Sequence, residues 1–534
     1  MRKKPRTRNP HEPLRHPDHP RPRTRREFLA QGFLSGAATV IAPSLLGLLA
    51  APRRARATLA PDLQALLGPC GISLGAGLVP FIAFDLTGGG NIAGSNVLVG
   101  GPGGQLDFLS TAGYSKLGLP GTMIPGASTS GTTVDATFGL RYHADSAHLR
   151  GMKTRTGALA MSNTNGTVIP ALSQNDTNIN PLNPIYGIYQ VGARGALLDL
   201  IGTDSTVSGG NSLAPATMIN IAAQPTRVAS SADVVGLVNT GQLSTLLPNP
   251  ADVTAVMEST KRISDAKYAQ VQAFTDPTAD AAAKQLLACG YTKAAYVTDK
   301  YGSPSAVNPD LDPDVVGPSG IFNPAEYAAN SDFQATAAVM KLVVEGNAAA
   351  GTIQLGGFDY HTGDRATGET RDFTAGECIG ACLEFAARRK KPLMVYVFTD
   401  GSIVSNGMID TSAAGRGKGV WTADNSNTAA NYFLVFNPYG KPLPAQNDPE
   451  ASLQMGSFTS DGSVNTTGSP GANNVFNLVQ MVVLNYMALH GTQGNFPTLY
   501  PAPNVNDTLG TGAALDPLIA FAPLAGLVNG KIVG

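Results

Sequence analysis

Histidine is scarce in this chain. Of seven in 534 residues, three (His11, His16 and His19) lie in the N-terminal stretch, leaving only His143, His148, His361 and His490. So few, so widely spaced, exclude a histidine-rich metal cluster. Cysteine is equally thin, with Cys70, Cys289, Cys378 and Cys382 as the full set. Cys378 and Cys382 are four apart on the apolar face of a helical pattern that includes Phe385. With no histidine nearby they read as buried core thiols rather than metal ligands. Charged residues make up only 14 % of the chain. Apolar runs recur throughout, so this low charge belongs to a packed core with Gly-, Ser-, Thr- and Asn-rich loops, not to disorder. No repeat of fixed period is present.

What the chain has in concentration is basic residues at its start. Of 37 Lys and Arg, 13 fall within residues 1–57, against 3 of the 38 Asp and Glu. This Pro-rich basic stretch runs into Thr24-Arg25-Arg26-Glu27-Phe28-Leu29-Ala30, a twin-arginine pattern that lacks only a final Lys. A mildly apolar segment, Gly32 to Ala51, follows, and then Ala55-Arg56-Ala57, with small residues where a signal peptidase reads. Arg53, Arg54 and Arg56 before the cut suit the twin-arginine (Tat) channel. The competing reading is a membrane anchor, for which roughly 20 apolar residues are long enough. Gly32, Gly36, Gly47, Ser35 and Pro43 weigh against it. Residues 1–57 are therefore expected to be a cleaved signal that delivers the folded protein to the periplasm. The Tat translocase and signal peptidase are its export partners, and no stable membrane anchor remains. The rest, residues 58–534, carries 24 basic against 35 acidic residues, a net charge of −11. That balance excludes general nucleic-acid binding, which needs a basic footprint. An oxidising compartment allows a disulfide between the isolated Cys70 and Cys289.

The length fits one large α/β domain with loop insertions or two domains, and a single domain over residues 58–534 is the expectation. Val79 to Leu86 reads as a buried strand, followed by the tight turn Thr87-Gly88-Gly89-Gly90-Asn91. Residues 100 to 135 read as a long polar loop, and Leu197 to Ile201 as a short strand. Helical spacing runs over Ala251–Phe274, Ala279–Leu287 and Glu326–Asn347. Thr352 to Leu355 is a short strand entering Gly356-Gly357-Phe358-Asp359-Tyr360-His361. A helix is expected from Thr374, with Glu377 completing a capping box, to about Arg389. Leu393 to Thr399 is a buried strand ending at Asp400-Gly401. A polar loop to Asn431, a strand over Tyr432–Phe436 and a helix over Asn473–His490 complete the reading. Strands alternating with helices predict a mostly parallel sheet.

Ligands of such sheets bind beyond the carboxyl ends of the strands. Asp85, Asp359 and Asp400 stand at such ends, and His361, two residues from Asp359, would face the same side of a continuing strand. Three carboxylates and one imidazole suit one divalent metal ion. The alternative is that each Asp caps its own turn. Gly89, Gly90 and Asn91 could cradle an anion with backbone N–H groups, and Arg416 and Lys418 could reach one. A tight turn and solvated surface charges are the plainer readings. His143 and His148 are five apart, out of helical register for a paired site.

The twin-arginine signal, Phe84–Gly90, Leu355–His361 and Val395–Gly401 together resemble a Tat-exported bacterial family known only as a domain of unknown function. That family is related to the alkaline phosphatase and sulfatase superfamily, and one subgroup is often labelled a general secretion pathway protein. The resemblance covers most of residues 58–534. It implies an alkaline-phosphatase-like three-layer α/β/α sandwich with long polar loops, and a metal site at Asp85, Asp359, His361 and Asp400. It also implies histidines that this chain lacks. Gly419-Val420-Trp421-Thr422-Ala423-Asp424 stands where the family has a Thr-Asp-His-Gly-like stretch, and Asn183-Pro184-Ile185-Tyr186 where it has Ser-His-Phe. Gly401 follows Asp400 where phosphatases often place His. The expectation is a periplasmic protein with a degenerate metal site, with envelope or secretion functions. A metal-dependent hydrolase of phosphate or sulfate esters is the alternative.

Overall fold

The computed structural model describes residues 59–532, apart from 71, 73–74, 127–132, 173–181, 205–219, 221–222, 239–245, 248, 273, 303–305, 400 and 503–505. The twin-arginine segment and Asp400 therefore lie outside the described residues. Where the sequence reads as one domain, the chain divides into two compact units. One comprises residues up to Cys70 with Thr240–Gly302, and the other Gly71–Asn239 with Ser303–Gly534.

In the larger unit the main elements are, in order, β1 (Phe81–Leu86), α1 (Ala147–Arg155), β2 (Thr164–Pro170), β3 (Leu198–Gly202) and β4 (Thr226–Arg227). The smaller unit contributes α2 (Pro250–Tyr268) and α3 (Pro277–Tyr301). The larger unit resumes with α4 (Ser331–Val344), β5 (Ala348–Leu355), α5 (Ala366–Arg389), β6 (Leu393–Thr399), β7 (Ile403–Ile409), β8 (Gly419–Asp424), β9 (Ala430–Phe436) and α6 (Val475–Leu489).

Seven strands form one mixed, mostly parallel sheet in the order β2-β9-β6-β1-β5-β3-β4. β1 is central and parallel to both neighbours, with Asp85 opposite Gln354 on β5 and Phe398 on β6. β1 and β6 are buried along their whole length. Continuous apolar runs are what a parallel strand covered on both faces requires. On one face Phe81, Ala83, Met394, Tyr396 and Phe398 pack with α6, whose Leu478, Val482 and Leu489 are fully or almost fully buried. On the other, α4 lies so close to β5 that a Cβ at Gly351 would meet Val339 and Val343.

Several expectations need correction. β9 is antiparallel to both β6 and β2, so the sheet is mixed on that side. β2 went unread because Thr164-Asn165-Gly166-Thr167 lacks apolar alternation. Residues 403–424, read as polar loop, form the antiparallel hairpin β7–β8 with register shifts. Its half-exposed strands and bulges blur the period-2 signal. The helix expected from Thr374 begins at Ala366. The capping box is absent: the Thr374 hydroxyl donates to the carbonyl of Thr370 at 3.2 Å, and Glu377 accepts from Arg155 at 2.6 Å. A short helix, Thr111–Lys116, interrupts the stretch read as loop.

In the smaller unit α2 is shorter and α3 longer than expected: α2 stops at Tyr268, and α3 runs on to Tyr301. Both start on an Asn or Asp cap followed by Pro, the ordinary N-terminal signature. Cys70 is disulfide-bonded to Cys289. Arg262 binds Asp62 through two 2.8 Å hydrogen bonds, joining the same two chain segments.

Candidate metal centre

The stretch after β5 is held in place by small residues and buried aromatics. Gly88, at φ +113°, approaches so closely that a Cβ there would lie 2.5 Å from the Asp359 nitrogen. Only glycine allows both that backbone angle and that contact. The Phe358 N–H donates to the Thr87 carbonyl at 3.1 Å, extending the β1–β5 pairing by one step. Phe358 and Tyr360 are buried. The strand-like alternation then turns Asp359 and His361 outward together.

Asp424 meets them from the end of β8. The Gly363 N–H donates to the Trp421 carbonyl at 2.8 Å and ties the two segments. Asp359, His361 and Asp424 form a group whose ligand atoms all lie within 4.8 Å of one another. His361 Nδ1 is 2.5 Å from Asp359 Oδ1 and 3.0 Å from Asp424 Oδ1. Yet Nδ1 is buried and makes no hydrogen bond among the described residues. Its two oxygen neighbours sit at bonding distance but off its bonding direction. Donor atoms about 2.0–2.2 Å from a shared cation lie roughly 3 Å from each other, close to the 2.5 and 3.0 Å separations at His361 Nδ1. The Asp359 and Asp424 side chains are 65 % and 42 % exposed, and that of His361 27 %. The centre therefore opens to solvent.

Of the residues singled out from sequence, Asp359 and His361 come together here. Asp85 is fully buried within β1, on the same face as Phe81 and Ala83, and is not in the group of three. Asp400 lies outside the described residues. The Gly88–Asn91 turn does lie beside Asp359. A Cβ at Gly89 would meet Gly401 and Ser402, and one at Gly90 would meet the Phe358 ring. The Asn91 N–H is taken by the Tyr360 hydroxyl at 2.8 Å rather than offered to an anion. Arg416 is bound to Asp145. Lys418 is fully buried, 2.8 Å from Glu369 and 2.6 Å from the Asp145 carbonyl. Both cations serve internal pairs.

Behind the exposed triad lies a buried polar cluster. The Tyr360 hydroxyl donates to Asp372 Oδ1 at 2.7 Å, and Asn96 Nδ2 donates to Asp372 Oδ2 at 2.7 Å. His148 Nε2 is 3.9 Å from Asp372, and its Nδ1 is 3.2 Å from the Tyr432 hydroxyl. Burial pushes the Asp372 carboxyl up to about 7 and His148 down to about 3. One turn earlier on α5, Glu369 accepts from Arg365, Lys418 and Arg150. Burial raises the Glu369 carboxyl, but Arg365 and Lys418 outweigh it and hold it below its usual value. The Arg365 guanidinium in turn lies 4.6 Å above the Trp421 ring.

Sequence reading passed over Asp424, although it stands at a strand end like the other acids. The strand itself lacks a clean period, and the family resemblance implies a histidine rather than an acid in that stretch. Asp372 offered no signal, since a lone acid on a helix is ordinarily a solvated one. Comparison with family models, with curated proteins and with solved structures finds no match.

Proposed function

We propose that this chain is exported to the periplasm by the twin-arginine route, and that it holds one divalent metal ion between Asp359, His361 and Asp424. The scaffold would be of the alkaline phosphatase and sulfatase type, a three-layer α/β/α sandwich. The observation that carries the metal reading is the His361 Nδ1, buried and without a hydrogen bond among the described residues while two carboxylate oxygens lie within 3.0 Å. Two carboxylates and an imidazole suit zinc, manganese or iron. The position beyond the carboxyl ends of β5 and β6, the strands flanking β1, is where open α/β sheets bind ligands. Asp424 gives the metal a third ligand from the stretch in which the resembled family carries a histidine.

Hydrolysis of phosphate or sulfate esters is the second reading, favoured by the exposure of Asp359 and Asp424. Three protein ligands leave coordination positions for water or substrate, as catalytic sites do. The ion would supply Lewis acidity and an activated water, while the chain's part is to hold three ligands at a solvent-facing edge.

Metal analysis of protein purified from the periplasm tests the first reading directly. About one equivalent of a transition metal is expected, lost in Asp359→Ala and in His361→Ala. Metal-free wild type that takes up no Zn2+, Mn2+ or Co2+ at micromolar concentrations would sink it. Export is tested separately. Arg25→Lys with Arg26→Lys should leave uncut precursor in the cytoplasm, whereas normal periplasmic accumulation of that double variant refutes the twin-arginine route.

A further inference from the structure

Tyr360 sits in sequence between the two ligands of the loop, and its side chain points the opposite way. The ring lies against α5, where a Cβ at Gly368 would come within 2.9 Å of it. Its hydroxyl accepts from the Asn91 N–H and donates to Asp372. One phenol thus ties the ligand-bearing stretch to the turn after β1 and to the middle of α5. Asp372 is the hub of that tie. Its second oxygen takes Asn96 Nδ2, and Asn96 Nδ2 also donates to the Asn91 carbonyl at 2.7 Å. The Asn96 side-chain oxygen accepts from Ser146 and from the His148 N–H at the start of α1.

We propose that Asp372 is a positioning residue of the metal centre, fixing through the Tyr360 hydroxyl the stretch that presents Asp359 and His361. The proposal rests on the metal reading above and deepens it. The reason is geometric. Asp359 and His361 project from a segment with no helix or ladder of its own, so their separation is set by whatever holds the residue between them. Tyr360 is held at its far end, where a small displacement of the hydroxyl rotates the backbone carrying both ligands. An acid side chain is suited to this hub, because its two oxygens take one donor each, the Tyr360 hydroxyl and Asn96 Nδ2. An amide in its place would turn a donor against a donor. Burying a carboxylate is costly, and a tie serving packing alone could be made by neutral groups or by apolar contact. Losing a partner that hydrogen-bonds a metal ligand typically weakens affinity by about 10–100-fold, and Tyr360, one step further out, reaches two ligands at once through the backbone they share.

The experiment is Co2+ binding to metal-free full-length protein, read by visible absorption, for wild type, Tyr360→Phe and Asp372→Asn, with urea unfolding of each alongside. Tyr360→Phe keeps the ring and removes only the hydroxyl, so it carries the test even if Asp372→Asn does not fold. The expected result is Co2+ affinity weaker by about 10–100-fold, with an altered absorption band, in Tyr360→Phe and in any folded Asp372→Asn. Tyr360→Phe that is less stable but binds Co2+ with the wild-type affinity and spectrum overturns the positioning role and leaves the metal reading intact. Wild type that binds no Co2+ overturns both, which separates the two failures.

Discussion

The exposed triad and the buried cluster behind it share chain segments, yet their polar atoms are arranged on opposite plans. In the cluster, carboxylates have partners from several elements: Glu369 has Arg365, Lys418 and Arg150, and Asp372 has Tyr360 and Asn96. In the triad, two carboxylates crowd one imidazole nitrogen that makes no hydrogen bond. Buried polar groups that are satisfied by their own chain are part of what holds the fold together. The cluster too holds a buried nitrogen without a hydrogen bond among the described residues, His148 Nε2, so what sets the triad apart is that two carboxylate oxygens lie within 3.0 Å of its nitrogen at a solvent-facing edge. The difference predicts that substitutions at Glu369 and its cationic partners act on stability and those in the triad on ligand binding, with Tyr360 and Asp372 linking the two.

The largest stability effect should come from Glu369. Lys418 is fully buried and Arg365 almost so, and both pair with this carboxylate, Lys418 sharing it with Asp145 at 3.4 Å. Removing one partner of a buried pair leaves uncompensated charge and costs about 3–5 kcal/mol. Glu369→Ala should lose that much in urea unfolding at pH 7. A loss under about 1 kcal/mol, the range of an exposed pair, would erase the distinction between cluster and surface.

The second effect is pH dependence, and it sets members of the buried region against each other. Burial lowers His148 to about 3, and His143 and His490 to about 4. Against an unfolded value of about 6.5, each contributes stability that is present above pH 6.5 and lost as the pH falls towards the folded value. Asp372 runs the other way. Raised to about 7, it contributes stability that is present in acid and lost as the pH rises through 7. Three groups against one leave a net loss on the order of 3 kcal/mol between pH 7 and pH 5. A flat unfolding free energy over that interval would contradict the burial of these histidines. Asp372→Asn removes the offset and should steepen the fall by about 2 kcal/mol.

How much of this was legible in the sequence follows from the same contrast. β1 and β6 are largely apolar runs that announce buried parallel strands, whereas only Thr352–Leu355 of β5 reads as strand, because Ala348-Ala349-Ala350-Gly351 lacks strand formers; Asp359-x-His361 is a spacing that puts two side chains on one side. What hid was relational. β7 and β8 are half-exposed and bulged, so the strand that delivers Asp424 has no clean period. The antiparallel insertion of β9 is set by the return path of the chain rather than by its own Tyr-Phe-Leu-Val-Phe. Thr374 and Glu377 spell a capping box, yet tertiary packing carries α5 two turns further towards its N-terminus. Asp372 acquires its meaning only when Tyr360, Asn96 and His148 arrive from other elements.

The smallest stability effect should be the most telling. Asp359 is 65 % exposed at its side chain and shares one nitrogen with Asp424. In metal-free protein it has little to lose on replacement, since exposed substitutions usually change stability by less than about 0.5 kcal/mol. Two carboxylates facing each other across His361 repel, so removing one can even stabilise. Asp359→Ala is therefore expected to unfold at the wild-type urea midpoint without metal, and to fail to gain stability when metal is added. Wild type, by contrast, should gain about 2.7 kcal/mol at a free Co2+ concentration 100-fold above its Kd. The comparison rests on this double result. If metal-free Asp359→Ala is less stable by 2 kcal/mol or more, the triad belongs with the buried cluster as a structural tie. If its metal-linked gain survives, the ion is held elsewhere.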